Sequence, residues 1–265
     1  MTIGRIGKRI LEATTLGVGR PIARNFIFNK YLDVRLRGER LPVKGAAVCV
    51  PPHITFFDGL LNICYLERHV HLMMQREGLY NTNMKPLYWA SGNFPISIER
   101  KSSITDAVKK GKAYLREGEI IGIFSEGPAS RLMNDAGEIV PLADREHYPL
   151  AAYMAIENNV PIIPFGLFID PEISKRLWQF RGYNDASEFL KDYMIRKTGD
   201  KTGKTQYRIP YIIYRGSPVS VSGYNRKRSS IVELTREVKS QIEVLSDKAR
   251  DFAHVEYIDL MQRID

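Results

Sequence analysis

His53 and Asp58 stand five residues apart in the stretch Ala46-Ala47-Val48-Cys49-Val50-Pro51-Pro52-His53-Ile54-Thr55-Phe56-Phe57-Asp58-Gly59. An imidazole takes up a proton near neutral pH, and a carboxylate beside it fixes the tautomer and stabilises the imidazolium once it forms. The pair is therefore suited to activating a hydroxyl. Spacing alone is a weak warrant, because the chain has 5 His and His254 and Asp259 repeat the interval. That second pair falls inside a long predicted helix, where five residues advance about 140° and put the side chains on different faces. It reads as helix surface. The first pair follows an apolar run closed by two prolines, so the imidazole emerges at the carboxyl end of a strand, and the carboxylate follows as a helix begins.

The elements that must position the pair alternate along the chain. Apolar runs predict strands at Leu32–Leu36, Ala46–Val50, Val70–Met74, Phe94–Ile98, Ile120–Phe124, Ile162–Phe168 and Tyr207–Tyr214. Helical periodicity predicts Gly59–Leu66, Ser103–Arg116, Tyr148–Asn158, Ala186–Ile195 and Ser229–Ile264. Strand and helix taking turns imply an α/β fold, a mainly parallel or mixed central sheet flanked by helices, with its site at the carboxyl ends of the strands. Residues 32–265 form this one domain. Residues 1–31 precede it as an amphipathic helical segment: Ile3, Ile6, Ile10, Ala13 and Gly17 share a face, Arg5, Lys8 and Arg9 lie opposite, and Pro21 separates a second patch of Ile22, Phe26, Ile27 and Tyr31. Such a basic pair of helices suits the headgroup layer of a membrane or packing on the core.

A formal charge of +9 over 265 residues points to an anionic partner: a lipid surface, a phosphorylated substrate or nucleic acid. Cys49 and Cys64 are too few for a disulfide framework and sit in apolar stretches, which indicates a reducing compartment. There is no secretory signal pattern and no uncharged apolar run of spanning length, so a membrane would be met from its surface. No Gly-x-Ser-x-Gly elbow occurs, which disfavours an α/β serine hydrolase. Gly199-Asp200-Lys201-Thr202-Gly203-Lys204-Thr205 is one residue short of a phosphate loop and reads as a solvated turn. His69 and His71 lack partners at metal-ligand spacing and read as strand-edge residues, so no metal site is expected.

Three further stretches follow the His53 block in order: Phe94-Pro95-Ile96-Ser97-Ile98-Glu99-Arg100, Ile123-Phe124-Ser125-Glu126-Gly127-Pro128-Ala129-Ser130-Arg131, and Val160-Pro161-Ile162-Ile163-Pro164. With it they resemble the four blocks of the glycerolipid acyltransferase family, whose members acylate glycerol phosphate and lysophosphatidic acid. The resemblance runs from Val43 to Val221. It implies an O-acyltransferase of the 1-acylglycerol-3-phosphate type with His53 as general base oriented by Asp58. The donor would be acyl-CoA or acyl-carrier protein, with no cofactor beyond that substrate, and the acceptor a lysophospholipid, foremost lysophosphatidic acid. It implies substrate binding by Thr55, Arg100, Glu126, Gly127 and Arg131, work on the cytoplasmic side of a membrane as a peripheral or monotopic protein, and no nucleic-acid partner. The third block departs from the family's usual Phe-Pro-Glu-Gly-Thr-Arg-Ser: Ser125 replaces Pro, Pro128 replaces Thr, and Ala129 stands where the phosphate-binding Arg is expected, with Arg131 two residues on. A different lysolipid or hydroxyl acceptor therefore stays open, as does a non-catalytic basic module, for which Arg226-Lys227-Arg228 would serve as a surface for lipid or nucleic acid.

Overall fold

The computed structural model describes residues 17, 21, 24, 29–55, 57–76, 88, 91–97, 100–127, 134, 139–179, 183–198 and 208–261. In chain order these form β1 (Leu32–Gly38), β2 (Ala47–Val50), α1 (Asp58–Tyr65), β3 (Val70–Gln75), β4 (Phe94–Ile96), α2 (Lys101–Arg116), β5 (Ile120–Ile123), α3 (Leu150–Asn158), β6 (Ile162–Phe168), α4 (Pro171–Gln179), α5 (Tyr183–Thr198), β7 (Ile209–Arg215) and α6 (Arg228–Met261), with a 3-10 turn at Leu142–Asp144. The seven strands make one sheet in the order β1-β7-β6-β2-β5-β3-β4. All neighbours are parallel except β6 and β7. The expected α/β architecture with a mixed sheet is the one observed. The expected helices of residues 1–31 and the turn at Gly199–Thr205 lie almost wholly outside the described residues.

Alternation along the central strands sends side chains to two cores. In β2, Ala47 and Cys49 join the core formed with α1, α4 and α5, while Val48 and Val50 join that formed with α2, α3 and α6. Both faces of the sheet are therefore covered, which suits its continuously apolar parallel strands. Cys49 and Cys64 are buried and free, as their apolar surroundings suggested. On the α6 side, Leu234, Val238, Ile242, Leu245, Ala249 and Ala253 are buried at intervals of three and four, a helical stripe facing the sheet. The helix lies close enough to β6 that a Cβ on Gly166 would run into the backbone of Leu245 and Ser246. Glycine is what lets that contact form.

Two expectations are corrected. Residues after β6 form a helix, α4, that periodicity did not single out. Its start is written locally: Asp170 accepts the Glu172 N–H at 2.9 Å and Pro171 occupies the first turn, where its missing N–H costs nothing. His71 is not a strand-edge residue. It lies in β3, bonded to β5 and β4 on its two sides, and is 2% exposed, stacked on Tyr114 with centroids 3.8 Å apart.

Candidate active site

β2, β5 and β6 run side by side and end at the same edge of the sheet. β2 and β5 pair with Ala47 opposite Ile120 and Cys49 opposite Gly122, a constant offset of 73. Carried past the strand ends, that offset puts Glu126 opposite His53, and the His53 N–H donates to Glu126 Oε2 at 2.7 Å. The Pro51-Pro52 pair removes two backbone donors where the ladder would otherwise continue, which frees the chain to turn out of the sheet.

Asp58, the first residue of α1, is fully buried and accepts five hydrogen bonds. Oδ2 accepts from His53 Nδ1 at 2.9 Å and from the N–H groups of Ile54 at 2.6 Å and Thr55 at 2.7 Å. Oδ1 accepts from the Thr55 hydroxyl at 2.6 Å and the Tyr211 hydroxyl at 2.7 Å. Burial, and then the Asp58 charge, push the Tyr211 phenol well above its ordinary range, so it stays a donor. With every other partner presenting hydrogen, Asp58 acts purely as acceptor, and His53 Nδ1 carries the proton shared between them. In the neutral form of the ring Nε2 is then the nitrogen able to accept a proton. The imidazole stacks on Phe124 at 4.3 Å and meets the edge of Trp178 at 4.8 Å. Its side chain remains 17% exposed, towards a cavity of about 980 Å³.

Glu126 and Arg145 hold the backbone of His53 from opposite sides. Arg145 Nη1 donates to the His53 carbonyl at 2.7 Å and to Glu126 Oε1 at 2.6 Å, while its Nε donates to the Val140 carbonyl at 2.8 Å. Burial raises the Glu126 carboxyl above its ordinary value, and the Arg145 guanidinium is the main force opposing that rise. From α4, the Ser174 hydroxyl donates to the Ile54 carbonyl, so both peptide carbonyls at the turn are tied down. Gly127 has φ +84°, and a Cβ there would approach the Tyr148 ring to 2.7 Å. Only glycine takes that backbone and that space together.

Of the residues expected at substrate, Thr55 is fully buried and spends its hydroxyl proton on Asp58, and both Glu126 oxygens are engaged by His53 and Arg145. Gly127 lines the cavity beside His53. Arg100 is exposed ahead of α2 and is not in the cavity wall, although Ile96 of β4 before it and Ile104 of α2 after it both are. Arg131 lies outside the described residues. Sequence reasoning did not single out Arg145, Tyr211, Ser174 or Trp178. The Asp170-Pro171-Glu172 helix start would have flagged the element that carries Ser174 and Trp178. Among the described residues, no group of three or more His, Cys, Asp or Glu is placed to hold a metal ion.

Ser125, which lines the cavity, forms a second polar pair with His147, Oγ to Nδ1 at 2.7 Å. Burial, then Lys239 and Arg145, lower the His147 pKa to about 4. An unfolded histidine protonates near 6.5, so between those values the unfolded chain binds more protons and stability falls as pH falls. In His147→Gln, urea midpoints measured from pH 6.5 down to 4 therefore decline less steeply than in wild type. Equal slopes would remove this histidine from the acid sensitivity of the fold.

The family model described as Acyltransferase matches residues 33–167, half of the chain. Among solved structures, the chain is similar to the 1-acyl-sn-glycerophosphate (LPA) acyltransferase PlsC from Thermotoga maritima. The TM-score is 0.55 at 14% identity, over 95% of this chain and 83% of that one. That is a likeness of fold, and it extends beyond the family match to the last helix. No curated protein matches the chain.

Proposed function

The chain belongs to the acyltransferase family, and from that premise we propose that it acylates the hydroxyl of a lysophospholipid, converting lysophosphatidic acid to phosphatidic acid. The donor is the thioester of acyl-CoA or acyl-carrier protein. The observation that carries the reading is the His53–Asp58 contact of 2.9 Å at the wall of a large, mainly apolar cavity. His53 Nε2 takes the acceptor's hydroxyl proton as the oxygen attacks the thioester carbonyl carbon. The tetrahedral intermediate collapses to the ester, the C–S bond breaks, and the imidazolium returns the proton to the leaving thiolate. Asp58 stabilises the imidazolium during that interval. No acyl-enzyme forms and no cofactor takes part. Glu126, Arg145 and Thr55 act as positioning residues, through the His53 backbone and through Asp58.

The cavity, at about 980 Å³, lies at the upper end of small-molecule sites and is walled by residues such as Met73, Met74, Ile96, Ile104 and Leu150, which suits a fatty-acyl chain. Among the described residues no helix is long and apolar enough to cross a membrane. The enzyme works from the cytoplasmic face of the bilayer, held there by residues 1–31 and its excess of positive charge. Mass spectrometry of reactions pairing acyl-CoA or acyl-carrier protein with a panel of lysophospholipids and non-lipid alcohols tests this. Phosphatidic acid is the expected main product; a panel without any acylated lysolipid rejects the proposal.

A further inference from the structure

The described cations in the wall of the cavity that holds His53 are neither Arg100 nor any residue of the four sequence blocks. They are Arg226 and Arg228, between β7 and the body of α6, well past the residues matched by the family model. Both are exposed. The wall changes character over two turns of this segment. Ile231 and Val232, half-buried, face the cavity with the apolar residues, and the two arginines stand at its rim. A ligand seated there has an apolar body inside and an anionic end outside.

Among the described residues the charge at this rim is mainly positive. Lys227 separates the two arginines, and the first turn of α6 holds no acidic residue to balance them. The nearest described carboxylate paired with this group, Glu157, is shared: it accepts from Arg226 Nε at 2.8 Å and lies 3.2 Å from Lys112 Nζ. Because Arg226 meets Glu157 through Nε, its two terminal nitrogens keep the edge that engages phosphate oxygens bidentately. Glu157 thereby acts as a brace that points the guanidinium without neutralising the group. A surface cluster of like charge at the entrance to an apolar pocket is costly alone and favourable once a multivalent anion lies among its members.

We infer that Arg226 and Arg228 bind a phosphate ester of a substrate at the cavity rim, an inference that rests on the acyl-transfer reading for the identity of that substrate. The phosphate belongs either to the acceptor's headgroup or to the donor's CoA moiety, and the two sources separate by titration. The full chain carrying His53→Ala, in which turnover is suppressed, is titrated with lysophosphatidic acid, with monoacylglycerol of the same chain length, and with CoA. Arg226→Ala/Arg228→Ala is expected to weaken binding of one phosphate ligand at least tenfold, the scale of charge-assisted hydrogen bonds, and to leave monoacylglycerol unchanged. Loss confined to lysophosphatidic acid assigns the rim to the acceptor; loss confined to CoA assigns it to the donor. Arg226→Lys/Arg228→Lys recovers part of the loss, since charge survives without the bidentate fork. Both side chains are exposed, so the variants keep the wild-type circular dichroism spectrum. Unchanged affinity for both phosphate ligands overturns the inference, as does an equal loss for monoacylglycerol. Because binding is read without turnover, the site can stand where the acyl-transfer assay finds no product. Equally, wild-type KM values in an active Arg226→Ala/Arg228→Ala enzyme dismiss the site and leave the activity intact.

Discussion

Alanine at position 53 lowers kcat for acyl transfer by about 10²–10⁴-fold, the range removed with a positioned general base, while the KM values for donor and acceptor change little. The imidazole is 17% exposed, and its Nδ1 faces Asp58 and not the cavity. What alanine removes is therefore proton transfer more than binding surface. The stacking partners Phe124 and Trp178 remain to line the cavity, and the backbone of residue 53 remains held by Glu126 and Arg145. Fold and stability should accordingly stay near wild type. Steady-state kinetics together with thermal melting check this. A variant that keeps a tenth or more of wild-type kcat would mean that His53 is not the base.

Asp58→Ala should cost both activity and stability, with about 3–5 kcal/mol lost from the fold, the scale found when one member of a buried charged network is deleted. Five donors converge on this carboxylate, and among them the Tyr211 hydroxyl, the Thr55 hydroxyl and the Thr55 N–H lie in the buried interior. Each would be left without an acceptor, at about 1–3 kcal/mol for each group that finds no replacement. Asp58→Asn keeps the volume but turns one acceptor into a donor amid donors, so it is expected to be destabilised as well. Its His53 tautomer is no longer fixed, and kcat falls with it. Urea unfolding of both variants measures the first effect. Tyr211→Phe removes a single donor and leaves Asp58 with four, so it should be much the milder change. If Asp58→Ala unfolds at the wild-type urea concentration, the buried network does not hold the turn.

Much of this was legible in the chain because it is local. Ala47–Val50, Ile120–Ile123 and Ile162–Phe168 are apolar runs whose strand character follows from side-chain alternation and burial on both faces. The proline stop and the His53–Asp58 turn are also local, within eight residues. The partners of that turn are not. Tyr211 is 153 residues from Asp58 and Arg145 is 92 from His53, and they meet only because the sheet runs β1-β7-β6-β2-β5-β3-β4. Arg100 reads well as a cation following an apolar strand, yet Ile96 and Ile104 on either side of it line the cavity and Arg100 does not. Arg226 and Arg228 look like an ordinary basic run, and only the packing of α6 against β6 and α3 brings them to the rim.

The constant offset of 73 between β2 and β5 ties together the histories of two loops that are far apart in the chain. A residue gained or lost between Val50 and His53 would move the imidazole out of step with Glu126, and so would one between Ile123 and Glu126. Neither segment can change length without a matching change in the other. The stretch between α1 and β5, by contrast, can grow or shrink as long as the strands keep their pairing. Variation within lineages carrying this turn should therefore concentrate in the connecting segments, with the two short crossings from strand to site fixed as a pair.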